Sequence, residues 1–188
     1  MRRMLIPTVA TLTLLASSSV AFAATSSSTH TQSKSTATTK ALESYKTAPT
    51  VISYNGVTVS KSVHIVAVDP SSKKSTSWVP IYYVNQVLEK AGVHASWNAT
   101  LHEWDITLPK TWKPNVSQLP KSQSTDSARI AIRFTNTNTI VEYAPRIVAP
   151  DAYSHVSTTY VPVYYVEQVL KRMGFQTSWN GTDWVIKH

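Results

Sequence analysis

VPIYYVNQVLEKAGVHASWN, residues 79–98, returns as VPVYYVEQVLKRMGFQTSWN at residues 161–180, and this doubled stretch governs how the rest of the chain is read. Pro162 stands 82 positions after Pro80. At that offset residues 65–84, IVAVDPSSKKSTSWVPIYYV, overlie residues 147–166, IVAPDAYSHVSTTYVPVYYV, without a gap. Further on, Gly92 pairs with Gly174, Trp97 with Trp179 and Asn98 with Asn180. Trp104 meets Trp184 only after two extra residues in the first copy, which marks a surface hairpin loop.

Each copy has a local logic. Pro80 and Pro162 fit the first helical turn, where a missing N–H costs nothing, and Gly92 and Gly174 fit the left-handed position that ends a helix. The spacing between them predicts a helix of about three turns. One face of it carries Ile81, Tyr83, Val84, Val87, Leu88 and Ala91, and the second copy repeats this with Val163, Tyr165, Val166, Val169, Leu170 and Met173. After each glycine the period becomes alternating. Val93, Ala95 and Trp97, like Phe175, Thr177 and Trp179, share one side of a strand, and Trp104, Ile106 and Leu108, like Trp184 and Ile186, share one side of the returning strand. Trp97 should therefore face Trp104, and Trp179 should face Trp184. Asn180-Gly181 is a hairpin signal in which both positions tolerate positive φ. Before the helices, residues 51–59, 63–68, 128–134, 139–143 and 146–149 read as strands.

The expected fold class is α+β: two tandem repeats, each a small, mostly antiparallel sheet packed with one helix. Units of this size are marginal alone, so mutual packing is expected. The sequence leaves open whether the repeats pack side by side or swap strands.

The N-terminal segment reads differently. Met1-Arg2-Arg3, an apolar run over residues 5–15 and Ala21-Phe22-Ala23 match a signal peptide cleaved after Ala23. Pro7, Thr8, Thr11 and Thr13 interrupt the apolar run, which falls short of the ~20 residues of a bilayer span, so no membrane anchor is expected after cleavage. The chain then divides into a signal peptide at 1–23, a Ser/Thr-rich flexible linker at 24–49, a first repeat at 50–110, a Pro-containing linker at 111–126 and a second repeat at 127–188. A secreted or cell-envelope location is the expectation.

Charged residues make up only 15% of the chain, too few for a salt-bridge-laced helical protein, while a hydrophobic content of 42% can build packed cores. The net charge of +8 is scattered rather than gathered into a stripe, which argues against nucleic acid as a partner. Anionic wall polymers suit a mild positive field of this kind. There is no cysteine, so stability must come from burial without disulfides.

Asn55-Gly56, Val79-Pro80, Gly92 and Trp97-Asn98, repeated by Val161-Pro162, Gly174 and Trp179-Asn180-Gly181, resemble the pattern of the copper amine oxidase N-terminal-like, or stalk, domain family. The resemblance runs from about residue 50 to the end. It implies an exported bacterial protein carrying two such modules, common in Gram-positive bacteria, and implies no copper and no catalysis, because the oxidase's metal and quinone belong to a separate domain. The chain departs from the family at Tyr82 and Tyr164, where a long polar residue is usual, and at Gln86 and Gln168, where Glu is frequent.

The remaining polar residues agree with an absence of catalytic residues, metal and cofactor. His64, His94, His102 and His155 are isolated along the chain, whereas copper sites need converging imidazoles. Asp69 and Asp151 are the acids shared by position, and they read as turn or cap residues rather than a catalytic pair. Asn98, Asn115 and Asn180 begin N-x-S/T triplets that read as turn chemistry. Tyr82 and Tyr164 fall about 100° from the core face, one turn before Gln86 and Gln168, and these four are the candidate ligand-binding residues, since exposed rings beside amides suit sugar rings or a docked protein. Two functional readings follow: adhesion or scaffolding at the cell envelope through another envelope protein, and binding of a cell-wall polysaccharide. A third, an unrecognised hydrolase or its accessory subunit, lacks any polar constellation that recurs or converges.

Overall fold

Strand takes up 49% and helix 14% of the computed structural model, which describes residues 44–123 and 127–188. The protein is therefore mostly β, and the α+β expectation is corrected. Both helices stand where the repeat puts them, but the strands reach further than alternation alone marked. Residues 46–49, assigned above to the tether, open β1, and residues 75–80 leading into the first helix are also strand. The signal peptide and most of the flexible linker fall outside the described residues.

In chain order the elements are β1 (Lys46–Tyr54), β2 (Val57–Val68), β3 (Ser75–Pro80), α1 (Ile81–Lys90), β4 (His94–Asn98), β5 (Glu103–Thr107), β6 (Arg129–Phe134), β7 (Thr139–Pro145), β8 (Ile147–Pro150), β9 (Ser157–Pro162), α2 (Val163–Arg172), β10 (Gln176–Trp179) and β11 (Asp183–Lys187). They form a seven-stranded sheet, β10-β11-β1-β2-β3-β9-β8, and a four-stranded sheet, β4-β5-β6-β7. The C-terminal hairpin of the second copy thus completes the sheet begun by the first copy, because β11 lies parallel to β1 with Ile52 opposite Trp184. The hairpin of the first copy does the reverse: β5 lies parallel to β6 with Trp104 opposite Ile132. The repeats exchange strands, and neither sheet is built from one copy alone.

The exchange follows an approximate internal two-fold. β3 and β9 run antiparallel with Val79 opposite Val161, its own equivalent, flanked by Trp78 opposite Pro162 and Pro80 opposite Tyr160. Within each half the registers agree with the alternation, since Trp97 faces Trp104 and Trp179 faces Trp184. The second indole pair meets edge to face at 6.4 Å between ring centroids, a favoured geometry for aromatic quadrupoles.

Both helices end in the same local motif. The N–H of Gly92 bonds the carbonyl of Glu89 while that of Val93 bonds Leu88, and Gly174 and Phe175 repeat this onto Lys171 and Leu170. The glycines take φ of +77° and +95°, a left-handed conformation that costs glycine little. Ile81, Tyr83, Val84, Val87 and Leu88 of α1, and Val163, Val166, Val169 and Leu170 of α2, are buried in one continuous core with Trp104, Trp184, Ile52 and Ile132. Asn55-Gly56 turns with both φ positive, whereas at Asn180-Gly181 only the glycine does. There the Asn180 side chain accepts the N–H groups of Thr182 and Asp183. Asn98 and Asn115 cap their turns in the same way, so all three N-x-S/T triplets do turn work.

The segment between the copies is docked. Arg172 donates to the carbonyls of Asn115, Ser117 and Gln118, and Trp112 stacks on His188 at 3.9 Å and meets Phe175 edge-on at 5.6 Å.

Candidate binding groove

Burial of Ile81, Tyr83 and Val84 turns the intervening Tyr82 outward. It is 59% exposed, and Tyr164 is 60% exposed. Each leans edge-on against the next tyrosine in the chain, at 5.2 Å for Tyr82 on Tyr83 and 5.4 Å for Tyr164 on Tyr165. Gln86 and Gln168 lie half-buried one turn further on.

The inner tyrosines reach across the two-fold. The Tyr83 hydroxyl donates to Asp151 Oδ1 at 3.1 Å, and the Tyr165 hydroxyl donates to Asp69 Oδ2 at 3.4 Å. Both aspartates also cap their own loops: Asp69 accepts the N–H groups of Ser71 and Ser72, and Asp151 those of Tyr153 and Ser154. Burial by itself would raise the Asp151 pKa, but the N–H groups of Ser154 and Tyr153 and the hydroxyls of Tyr83 and Ser154 outweigh it and hold the group below the usual carboxylate value. Asp151 is therefore an anion at neutral pH.

Two cavities border Tyr82 and share Ser157 and Thr158, so they form one trough. One, of about 290 Å³, runs past Asn85 to Trp97, Arg146 and Val148. The other, of about 380 Å³, ends on Asp151, Ser154 and Val156. Gln86 lines neither of them. At the first end Arg146 sits over the Trp97 ring at 5.8 Å, within reach of a cation–π contact. Its Nε donates to the carbonyl of Ser127 and its guanidinium pairs with His102 Nε2 at 3.2 Å. The position equivalent to Arg146 is His64, which is buried against Thr50 Oγ1 at 2.8 Å and edge-on to Trp179 at 5.4 Å. Among the described residues no three or more potential metal ligands converge.

Of the four candidate residues, the structure thus brings Tyr82 to a trough, leaves both glutamines half-buried on their helices, and places Tyr164 exposed at the symmetric position. Sequence reasoning missed the partners of Tyr82, namely Trp97, Arg146, Asp151 and residues 156–158. One signal for them was present: the loops after Asp69 and Asp151 differ most between the copies, Lys73-Lys74 standing against His155-Val156. No protein-family model, curated protein or solved structure matches the chain.

Proposed function

We propose that this is a non-catalytic exported protein acting at the cell envelope, where the trough beside Tyr82 holds a wall polysaccharide. The trough carries this reading. An exposed tyrosine offers a face on which a sugar ring can stack, and Ser157 and Thr158 line the trough with residues whose hydroxyls can both donate and accept. The basic balance of the chain suits anionic wall material, and the resemblance to tandem stalk modules supports the same location. Adhesion or scaffolding through another envelope protein is the second reading. It is favoured by Val148, Tyr153 and Val156, which are 46%, 60% and 65% exposed in the same part of the fold, an apolar display of the kind that docks proteins.

A pull-down of the full chain on purified cell wall separates the two. Saturable retention, competed by soluble wall fragments and lost on Tyr82→Ala, supports polysaccharide binding. Failure of the wall to retain the protein returns the function to adhesion or scaffolding. Folding should be intact in the variant, since exposed substitutions cost within about 0.5 kcal/mol.

A further inference from the structure

We propose that the free edge of β4 is an interface for a second copy of this chain, added antiparallel about a two-fold axis through Ser96 so that two four-stranded sheets become one of eight strands. This goes beyond the wall-binding reading and does not rest on it. Among the described residues the two sheets end in β10, β8, β4 and β7. An open edge invites another strand unless charge or proline blunts it. β7 carries Glu142 and ends in Pro145, and β8 follows Arg146 and ends in Pro150, whereas β4 (HASWN) and β10 (QTSW) have neither protection. The core layer also stops short at β4. Trp104 and Ile106 are fully buried, while Trp97 and Ala95, opposite them, are only half-buried.

Charge selects the occupant. A cavity of about 400 Å³ lies between α1 and the start of β4, lined by Asn85, Glu89, Gly92 and residues 93–95. At Asn85 it meets the trough that runs on to Trp97 and Arg146. One groove therefore follows the strand, with Glu89 at one end and Arg146 at the other. An antiparallel copy brings the Arg146 end of each chain to the Glu89 end of the other, so opposite charges meet twice. A register centred on Ser96 pairs all five residues of β4, and it sets Trp97 against Ala95 of the other copy, a large side chain beside a small one. The turn after β4, where the first copy has its two extra residues, holds Leu101 at 51% exposure, and this pairing carries it to the Gly92 end of the other copy. The fold already contains such a contact within one chain, where β3 and β9 join antiparallel with Val79 opposite its equivalent Val161. At β10 the equivalents of Glu89 and Arg146 are Lys171 and the buried His64, which offer no opposite pair. A single self-complementary edge gives a closed dimer rather than a filament.

Sedimentation velocity of the full chain over about a hundredfold range of concentration should show a reversible dimer. Ser96→Lys sets two like charges opposite each other at the axis, while within its own chain the new lysine faces Asp105 across the ladder. The circular dichroism spectrum should therefore be unchanged and the dissociation constant should rise about tenfold or more. Glu89→Lys, at an exposed helix position, should weaken the dimer as well, and it decides the matter if Ser96→Lys does not fold. Ser178→Lys, at the equivalent position on β10, should dimerise as the parent does. A parent that stays monomeric throughout overturns the proposal, as does a dimer that survives both Ser96→Lys and Glu89→Lys, or one that Ser178→Lys dissolves.

Discussion

Where β5 meets β6, Arg133 reaches across the exchange and forks onto Asp105, Nε to Oδ1 at 2.9 Å and Nη2 to Oδ2 at 3.1 Å, with Glu103 Oε2 at 2.8 Å. Where β1 meets β11, the residues in the matching register are Ser53 and Val185. Trp104 and Trp184 are both fully buried, yet Trp104 Nε1 donates to Asn85 Oδ1 at 2.9 Å while Trp184 Nε1 has no protein partner. Glu167 stands where Asn85 would recur. The comparison teaches that the exchange itself depends on the shared apolar residues, because both junctions form. Polar groups then finish each half differently.

The largest effect should come from the buried indoles. Trp104→Ala and Trp184→Ala should each cost about 3–5 kcal/mol, read as a shift of the urea midpoint. Replacement by Phe separates the halves: Trp104→Phe strips Asn85 of its donor and should cost about 1 kcal/mol more than Trp184→Phe, which removes an N–H that is unpaired already. Equal costs would mean that the Asn85 bond contributes nothing.

The bonds across the two-fold come next. Tyr83→Phe should lose about 1–1.5 kcal/mol, since its hydroxyl is buried on a carboxylate, and Tyr165→Phe only about 0.5 kcal/mol, given a longer bond at a half-buried site. A reversed order would contradict the stated geometry. Asp105→Ala should cost about 0.5–1 kcal/mol, because its side chain and that of Arg133 keep 17% and 27% exposure and water screens the pair. Ser53→Ala at the other junction should be close to neutral.

The smallest effect concerns pH. Burial lowers the His64 pKa below its usual 6.5, against the opposing effect of a hydrogen bond that the ring donates to the Pro49 carbonyl. Below 6.5 the unfolded chain takes up a proton that the folded chain refuses, so stability should fall as the pH drops from 6.5 towards the lower folded value and be fully present above 6.5. His64→Gln should flatten that part of the urea-midpoint profile between about pH 7 and pH 5. The equivalent Arg146 does not titrate there, so a dependence that survives in the variant must arise elsewhere.

Much of this was legible in the chain. The helix bounds, their glycine ends and the facing tryptophans follow from contacts between residues a few positions apart, and Asp69 and Asp151 do cap turns as the loop pattern implied. Fold class was misread because residues 46–49 and 75–80 lack the apolar alternation that marks a strand, yet both pair with β2, and β9 holds the other edge of β3. Tyr82 was legible as an exposed ring because the helix period sets its direction. Its trough was not, since Trp97, Arg146 and Asp151 come from a hairpin, a strand break and a loop that only folding brings together.

By itself, then, the sequence determined the doubled unit: caps, periods and hairpins act within about ten residues and need no partner to be specified. The tertiary structure decided which hairpin completes which sheet. β5 and β11 offer nearly the same edge, Trp104 and Ile106 against Trp184 and Ile186, so local pattern cannot distinguish pairing within a copy from exchange between copies. That choice is made by long-range pairing and core closure, with the linker carried across to Arg172, and the same closure sends Tyr83 to Asp151 and opens the trough beside Tyr82.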